Sequence, residues 1–298
     1  MGTILAQSEA APTLVSAWTA ARRALEAAGV ALPVFDARLL IEAGAGVRRL
    51  DILTDPHRAL DAGQIGAIEA LVARRVAREP ISHILGRKGF RGFDLKVTRD
   101  VLSPRPETEH VVEAALSMLD LHAPATVLDL GVGSGAILLA ILMERPHAMG
   151  VGVDKSAAAL AVARENAEAL GLAPRVRLME GDWGAGLDGT FDAIVSNPPY
   201  VRSGAIGLLE PEVHRYEPHL ALDGGRDGLD AYRALAPQLR RLLRPGGGFA
   251  LEVGEGQAEA VWAHVAAAGL EPEGVLDDLA GVPRVVYGRA PHAPTPHA

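Results

Sequence analysis

The sequence predicts an α/β protein whose doubly wound, mostly parallel sheet is preceded by a small helical domain and a β-hairpin. Three observations carry this reading. From about residue 105, short apolar runs alternate with helical stretches, the pattern of βαβ units. The first of those runs ends in a glycine-rich loop, Gly131-Val132-Gly133-Ser134-Gly135, that opens a helix. The first ninety residues instead carry apolar positions at helical spacing.

In chain order, Leu14, Trp18, Ala21, Leu25 and Ala28 recur at helical spacing after Thr13, an N-cap. A second helix carries Phe35, Leu39 and Leu40. A third follows Asp61, with Ile65, Ile68, Leu71, Val72 and Val76 on one face, and Pro80 stops it. Gly89-Phe90 and Phe93–Val97 then read as two short strands around Arg91-Gly92. Strands follow at Thr126–Leu130, Met149–Asp154, Arg175–Glu180, Phe191–Ser196, Gly248–Val253 and Arg284–Gly288. Helices fall at Ala136–Arg145, Ser156–Leu170, Asp230–Leu243 and Gln257–Ala268. The expected divisions are a helical domain over residues 1–88, a hairpin linker over 89–104, an α/β domain over 105–290 and a disordered Pro- and His-rich tail over 291–298.

Composition narrows the functional classes. The 298 residues contain no cysteine, which excludes disulfides and thiolate metal sites and fits a reducing compartment. Met1–Ala10 has no basic residue before its apolar stretch, so no secretory signal is expected. The uncharged run Leu130–Met143 is too short to span a bilayer. These features predict a cytoplasmic protein that does not engage a membrane. The net charge of −8 is uneven: residues 1–88 carry 11 basic against 9 acidic residues, and the remainder 18 against 28. An acidic α/β half disfavours extended contact with a nucleic-acid backbone.

Asn197-Pro198-Pro199-Tyr200 follows the apolar run Phe191–Ser196 and so stands at a strand end, the mouth of an open α/β sheet. Two prolines remove two N–H donors and hold the residues before them extended. The Pro198 carbonyl is thereby fixed beside the Asn197 side chain, giving two acceptors next to an aromatic ring. Such a set suits a planar –NH2 group, which offers two donors and a π-face. A Pro-rich turn with Tyr200 packed on the surface is the plainer alternative.

The loop Gly131–Gly135, followed by Ala136, fits the dinucleotide-binding pattern loosely, and Asp154 ends the next strand at the spacing of an acid that binds ribose hydroxyls. Loop and acid together indicate an adenosine-containing cofactor without separating NAD from S-adenosylmethionine. Asp129, just before the loop, tilts the choice: a carboxylate can hold a methionine ammonium but repels a pyrophosphate. Asp182-Trp183 closes the third strand, where Trp183 can stack on adenine and Asp182 can accept from its exocyclic amine. No metal cluster and no nucleophile–base pair is apparent.

These residues resemble the release-factor glutamine N5-methyltransferases (the HemK/PrmC family), and the resemblance covers most of the chain. It includes Ile84-Leu85-Gly86 with Phe90, the hexapeptide Pro104-Arg105-Pro106-Glu107-Thr108-Glu109, the glycine loop, Asp182-Trp183, the tetrapeptide at 197–200 and Tyr216-Glu217-Pro218 with Ala221-Leu222. Val132 departs from the family's usual Thr, and Ser103 from its usual large aliphatic residue. The resemblance implies a seven-stranded class I methyltransferase (Rossmann-like) domain and an N-terminal helical domain that helps hold the protein substrate. It also implies S-adenosylmethionine as cofactor and methylation of the Gly-Gly-Gln glutamine in peptide-chain release factors. On this reading Asn197, Pro198 and Tyr200 are catalytic, and with Pro199 they hold the substrate amide. Asp129, Gly131, Val132, Gly133, Ser134, Gly135, Asp154, Asp182, Trp183 and Asn197 hold the cofactor, and the enzyme is a monomer. Arg105, Glu107 and Glu109 fit equally a loop over the cofactor or substrate and a helix start favoured by acidic residues. The alternatives are an adenine-N6 nucleic-acid methyltransferase, which Asn-Pro-Pro-Tyr alone also admits, an NAD-dependent oxidoreductase, and a non-catalytic release-factor-binding module, against which an intact Asn197 speaks.

Overall fold

The computed structural model describes residues 11–293; Met1–Ala10 and residues 294–298 of the expected tail lie outside them. The chain divides into two compact units. One runs up to Gly86 and takes in Glu210–Tyr216; the other holds Arg87–Leu209 and the chain from Glu217 onward.

The first unit contains α1 (Leu14–Ala27), α2 (Pro33–Ala45), α3 (Arg49–Thr54), α4 (Ala62–Val76) and α5 (Ile81–Leu85). Thr13 and Asp61 each cap their helix reciprocally. The Ser16 amide donates to Thr13 Oγ1 at 3.3 Å while the Thr13 amide donates to Ser16 Oγ, and Gln64 and Asp61 do the same. Short α3 and α5 are not legible as periodic segments. α2 turns Ala37, Leu40 and Ile41 inward. Phe35 is instead 49% exposed, with the Arg38 guanidinium 4.9 Å from its ring centre.

Glu210–Tyr216 falls within the span expected for the α/β domain, and ion pairing explains why it belongs to the helical unit instead. Buried Arg75 binds Asp36 Oδ2 at 2.7 Å and Glu212 Oε1 at 2.8 Å. Arg78 binds both Glu212 and Glu210, and the Tyr216 hydroxyl donates to the Ala77 carbonyl. Such pairs hold register, because removing one partner leaves an uncompensated buried charge.

The second unit opens with the hairpin β1 (Arg87–Phe90) and β2 (Phe93–Lys96). Arg91 and Gly92 both have positive φ, 45° and 85°, as a two-residue type I′ turn requires. α6 (Glu109–Met118) follows, then β3 (Ala125–Leu130), α7 (Ala136–Glu144), β4 (Ala148–Asp154), α8 (Ala157–Ala169), β5 (Val176–Glu180) and β6 (Phe191–Ser196). After the short α9 (Pro211–His214) of the first unit come α10 (Asp230–Leu242), β7 (Leu243–Glu252), α11 (Ala258–Ala267), β8 (Glu271–Asp277) and β9 (Pro283–Arg289).

Seven strands form one sheet in the order β5-β4-β3-β6-β7-β9-β8; the first five run parallel, and β9 is antiparallel to both its neighbours. The doubly wound, mostly parallel architecture is therefore the one the sequence predicts. Strand alternation separates two cores. Val127, Ala193, Val195 and Ala250 face one with α6 and α7, while Leu128, Ile194, Phe249 and Leu251 face the other with α10. Successive crossovers diverge between β3 and β6, so a crevice opens at their carboxyl ends, which is where ligands bind in such sheets. Among the described residues no helix is long and apolar enough to cross a membrane.

Close approach of α2 to α4 depends on Gly44. A Cβ there would lie 2.7 Å from Ile68 Cγ1 and 2.9 Å from the Ile68 backbone. In an exposed helix, Gly→Ala stabilises by roughly 0.5–1 kcal/mol. Here backbone cannot yield, and overpacking costs about 1–3 kcal/mol. Gly44→Ala should therefore lower the thermal midpoint of the full chain; a midpoint equal to or above wild type would contradict the packing described.

Candidate active site

The glycine loop leaves β3 and enters α7 with Gly131, Gly133 and Gly135 all at positive φ (81°, 54° and 85°). Asp154, at the end of β4, latches this loop: its Oδ2 accepts from the Gly133 amide and its Oδ1 from the Ser156 amide, both at 2.9 Å. Amides of Gly131 and Val132 donate to the Val153 carbonyl. The Ser134 carbonyl accepts from buried Asn166 Nδ2 on α8, and that side chain also bridges both main-chain groups of Lys96 in β2. The loop is thus clamped by two strands and a helix before any ligand arrives. Asn166 is a positioning residue that local sequence did not reveal.

A cavity of about 500 Å³ opens beside the loop, walled in part by Gly131, Gly133, Asp154, Trp183, Asn197 and Pro199. Val132, Ser134 and Asp182 also reach its wall, whereas Gly135, Asp129, Pro198 and Tyr200 do not. Gly135 is the helix cap; a Cβ there would meet the Leu139 side chain at 2.9 Å. The Trp183 ring lies over Gly131, within 3.6 Å of where a Cβ would stand, and its φ of 54° is strained for an aromatic residue. Asp182 is exposed, with Lys155 Nζ at 3.6 Å.

Asp129 is 1% exposed, and neither carboxylate oxygen has a hydrogen-bond partner. Burial pushes its carboxyl up to about 8, and the charge of Asp154 adds to this; the Leu138 amide offsets part of it without meeting hydrogen-bond geometry.

Asn197 stands just past β6, with Nδ2 donating to Thr108 Oγ1 at 3.2 Å. Tyr200 packs on the α10 side of the sheet, and its hydroxyl donates to Glu252 Oε1 at 3.3 Å. Burial raises the Tyr200 hydroxyl far above its ordinary value. Tyr200 thus acts as a strut for the tetrapeptide rather than as a cavity-facing ring. Its main chain is held too: Gln257 Nε2 donates to the Tyr200 carbonyl. Glu252, at the end of β7, is 2% exposed; its signal in the sequence is a lone acid within the otherwise apolar run Gly248–Val253. In the hexapeptide, Arg105 Nη2 pairs with buried Glu217 at 2.6 Å, and Glu109 begins α6 while accepting from the Arg91 amide. Ser103 is buried, its amide directed at Glu217.

Residues 16–86 match the PrmC N-terminal domain, and residues 109–212 the methyltransferase small domain. Among solved structures, a methyltransferase from Pyrococcus furiosus superposes with a TM-score of 0.52 at 20% identity, covering 74% of this chain and 97% of its own. The hMettl16 catalytic domain, solved with an RNA hairpin, superposes with a TM-score of 0.55 at 15% identity over 74% of this chain and 81% of its own. Those likenesses show the fold, and together with the domain matches they define a methyltransferase. A relative from Caulobacter vibrioides called release factor glutamine methyltransferase is 53% identical over 277 residues, 93% of this chain and 96% of the relative. One of the same description from Rhodospirillum rubrum is 48% identical over 265 residues, 89% and 81% of the two chains. The chain belongs to the release factor glutamine methyltransferase family.

The buried carboxyl of Asp129 makes a prediction about the protein alone. Its folded value lies above the ordinary carboxylate range, so between that range and about pH 8 the native state holds more protons than the unfolded chain, and the Asp129 contribution falls as pH rises. Asp129→Asn does not titrate. Its thermal midpoint relative to wild type should climb steadily from about pH 5 to about pH 8. A pH-independent difference would show that Asp129 ionises normally.

Proposed function

We propose that this chain transfers a methyl group from S-adenosylmethionine to the side-chain amide nitrogen (N5) of the Gly-Gly-Gln glutamine in peptide-chain release factors, as a cytoplasmic monomer. The observation that carries the reading is Asn197. It lines the cavity at the carboxyl end of a parallel strand, and Thr108 takes its Nδ2, which directs Oδ1 the other way as an acceptor. The acidic balance of residues 89–298 supports a protein substrate over an extended nucleic-acid one.

The residues present fit the donor. Asp129 is a buried carboxyl with no partner, set behind the cavity wall, where an ammonium group brought close would favour its ionised form; the loop glycines on the wall let backbone approach a ligand closely. Asp154 keeps lone pairs free for ribose hydroxyls after its two amide bonds, and the Trp183 ring beside Gly131 offers a face to adenine. When bound, S-adenosylmethionine supplies an electrophilic methyl whose bond to sulfur breaks, with its electron pair, as the bond to nitrogen forms and one amide proton is lost. An amide nitrogen is a poor nucleophile, so alignment is the protein's main task. Asn197 Oδ1, on the cavity wall, accepts one amide hydrogen, and the Pro198 carbonyl, one residue on and just off that wall, accepts the other as the substrate enters, which orients the nitrogen and favours the positive charge it develops.

The helical unit serves, on this reading, to hold the release factor. Leu32, Val34 and Phe35 form a run of exposed apolar side chains at the start of α2. Replacing two of them, Leu32→Ser with Phe35→Ser, should raise KM for intact release factor roughly tenfold, the scale of losing a contact at an interface centre. The dissociation constant for S-adenosylmethionine and kcat should stay near wild type; an unchanged KM would remove the docking role from this surface.

The direct test is mass spectrometry of a release factor incubated with the enzyme and S-adenosylmethionine, with the methylated residue located by fragmentation. One methyl on the Gly-Gly-Gln glutamine is expected, and methylation of nucleic acid instead would overturn the assignment. Asn197→Ala should slow turnover about a hundredfold or more while cofactor affinity changes little.

A further inference from the structure

Glu252 is a buried carboxyl with no task in the account above, and Thr108 belongs to a hexapeptide whose function the sequence leaves open. The two lie beside Asn197, and Thr108 reaches the same cavity wall. Thr108 is 3% exposed and its Oγ1 accepts from Asn197 Nδ2. A buried hydroxyl that accepts must place its own hydrogen on a second acceptor. Register brings the Glu252 carboxyl to this side of the sheet, and Thr108 favours its charged form although no hydrogen bond of full geometry joins the two. Glu252 Oε1 already accepts from Tyr200, whereas Oε2 has no partner of full hydrogen-bond geometry. Sheet register explains the meeting. Val195 pairs with Ala250 and Ser196 with Leu251, so Asn197 and Glu252 come next, both on the α6 face of the sheet. Thr108 immediately precedes α6.

We infer that Glu252, acting through Thr108, is a positioning residue that fixes the flip of the Asn197 amide, keeping Nδ2 inward and Oδ1 toward the cavity as the acceptor for the substrate amide. This deepens the methyl-transfer reading and rests on it. The two flips of an Asn amide have nearly the same shape, and only the hydrogen-bond network distinguishes them. A carboxylate can only accept, so while Glu252 is ionised the donors run one way, from Asn197 through Thr108 to Glu252. A protonated Glu252 can donate to Thr108, and Thr108 then donates to Asn197. The amide turns over, and a donor meets the substrate's donor.

The groups facing Glu252 set where this change falls. Burial pushes its carboxyl up to about 7; Thr108 and Tyr200 favour its charge, Glu107 opposes it, and Arg284, itself paired with Asp278 at 2.9 Å, favours it. The Tyr232 hydroxyl donates to the Glu252 main-chain carbonyl at 2.8 Å. The acceptor orientation therefore holds above about pH 7 and is lost as pH falls through that value.

Two measurements on the full chain test this. In cofactor-free protein, the Asn197 side-chain NH2 resonances, assigned by their loss in Asn197→Ala, should titrate near pH 7, and that titration should vanish in Glu252→Gln and Thr108→Val. With release factor as substrate, wild-type kcat should fall as pH drops from about 8 to about 6. Thr108→Val should lower kcat at the upper pH about tenfold and flatten the profile, with S-adenosylmethionine affinity unchanged, and Thr108→Ser should restore both. Should Glu252→Gln fail to fold, the Thr108 pair carries the test. Wild-type kcat and pH profile in Thr108→Val, or Asn197 resonances indifferent to pH, would overturn the relay. A wild-type enzyme that methylates no release factor would defeat the functional reading instead, and the resonance titration would still decide the relay.

Discussion

The site depends on the mutual register of three parallel strands. Asp129 of β3 lies opposite Val195 of β6, which lies opposite Ala250 of β7. With a side-chain period of two, Asp129, Asn197 and Glu252 therefore project to the same face, each at or just past the carboxyl end of an apolar strand. A slip of one residue would send Asn197 to the opposite face and bring Ser196 forward, so the buried faces of β6 that enforce register also place Asn197. The divergence of crossovers between β3 and β6 then supplies the opening beside which those groups sit.

Buried carboxyls are treated in two ways. Asp36 and Glu212 in the helical unit are matched by Arg75 and Arg78, and their charges are compensated where they lie. Asp129 and Glu252 on the sheet have no such cation in contact, and burial pushes both toward neutrality, to about 8 and about 7. Unpaired carboxyls held in apolar surroundings destabilise the ionised protein, and groups shifted in this way cluster at functional sites. The asymmetry separates acids whose charge is matched within the fold from the two on the sheet that the proposed function and relay would use.

What could be read from sequence was what short-range backbone chemistry determines. Glycines at strand-to-helix turns, two prolines after a strand and caps such as Thr13 and Asp61 state their geometry within a few residues. What could not be read depends on partners far along the chain. Asn166 means nothing until α8 brings it to Ser134 and Lys96, some thirty and seventy residues away. Tyr200 reads as an aromatic wall until Glu252 is seen to take its hydroxyl. β8 escaped because its Glu271-Pro272-Glu273-Gly274 opening carries residues that strands avoid, which a sheet-edge position tolerates. Glu210–Tyr216 has a continuous sequence context in one unit and its ion-pair partners in the other.

The hexapeptide shows why choosing between a helix start and a functional loop is a false alternative. Arg105 anchors to buried Glu217, Glu109 begins α6 and takes the amide of the hairpin turn at Arg91, and Pro106 fixes the backbone between them. Those three ties leave Thr108 little freedom, and they hold its hydroxyl beside Asn197 and Glu252. A lone threonine on a mobile loop would spend most of its time elsewhere, and its hydrogen bond would offset little of the entropy lost in ordering it. Held by two long-range contacts and a proline, the same hydroxyl is pre-organised, so the structural reading of its neighbours is the condition for a functional reading of Thr108.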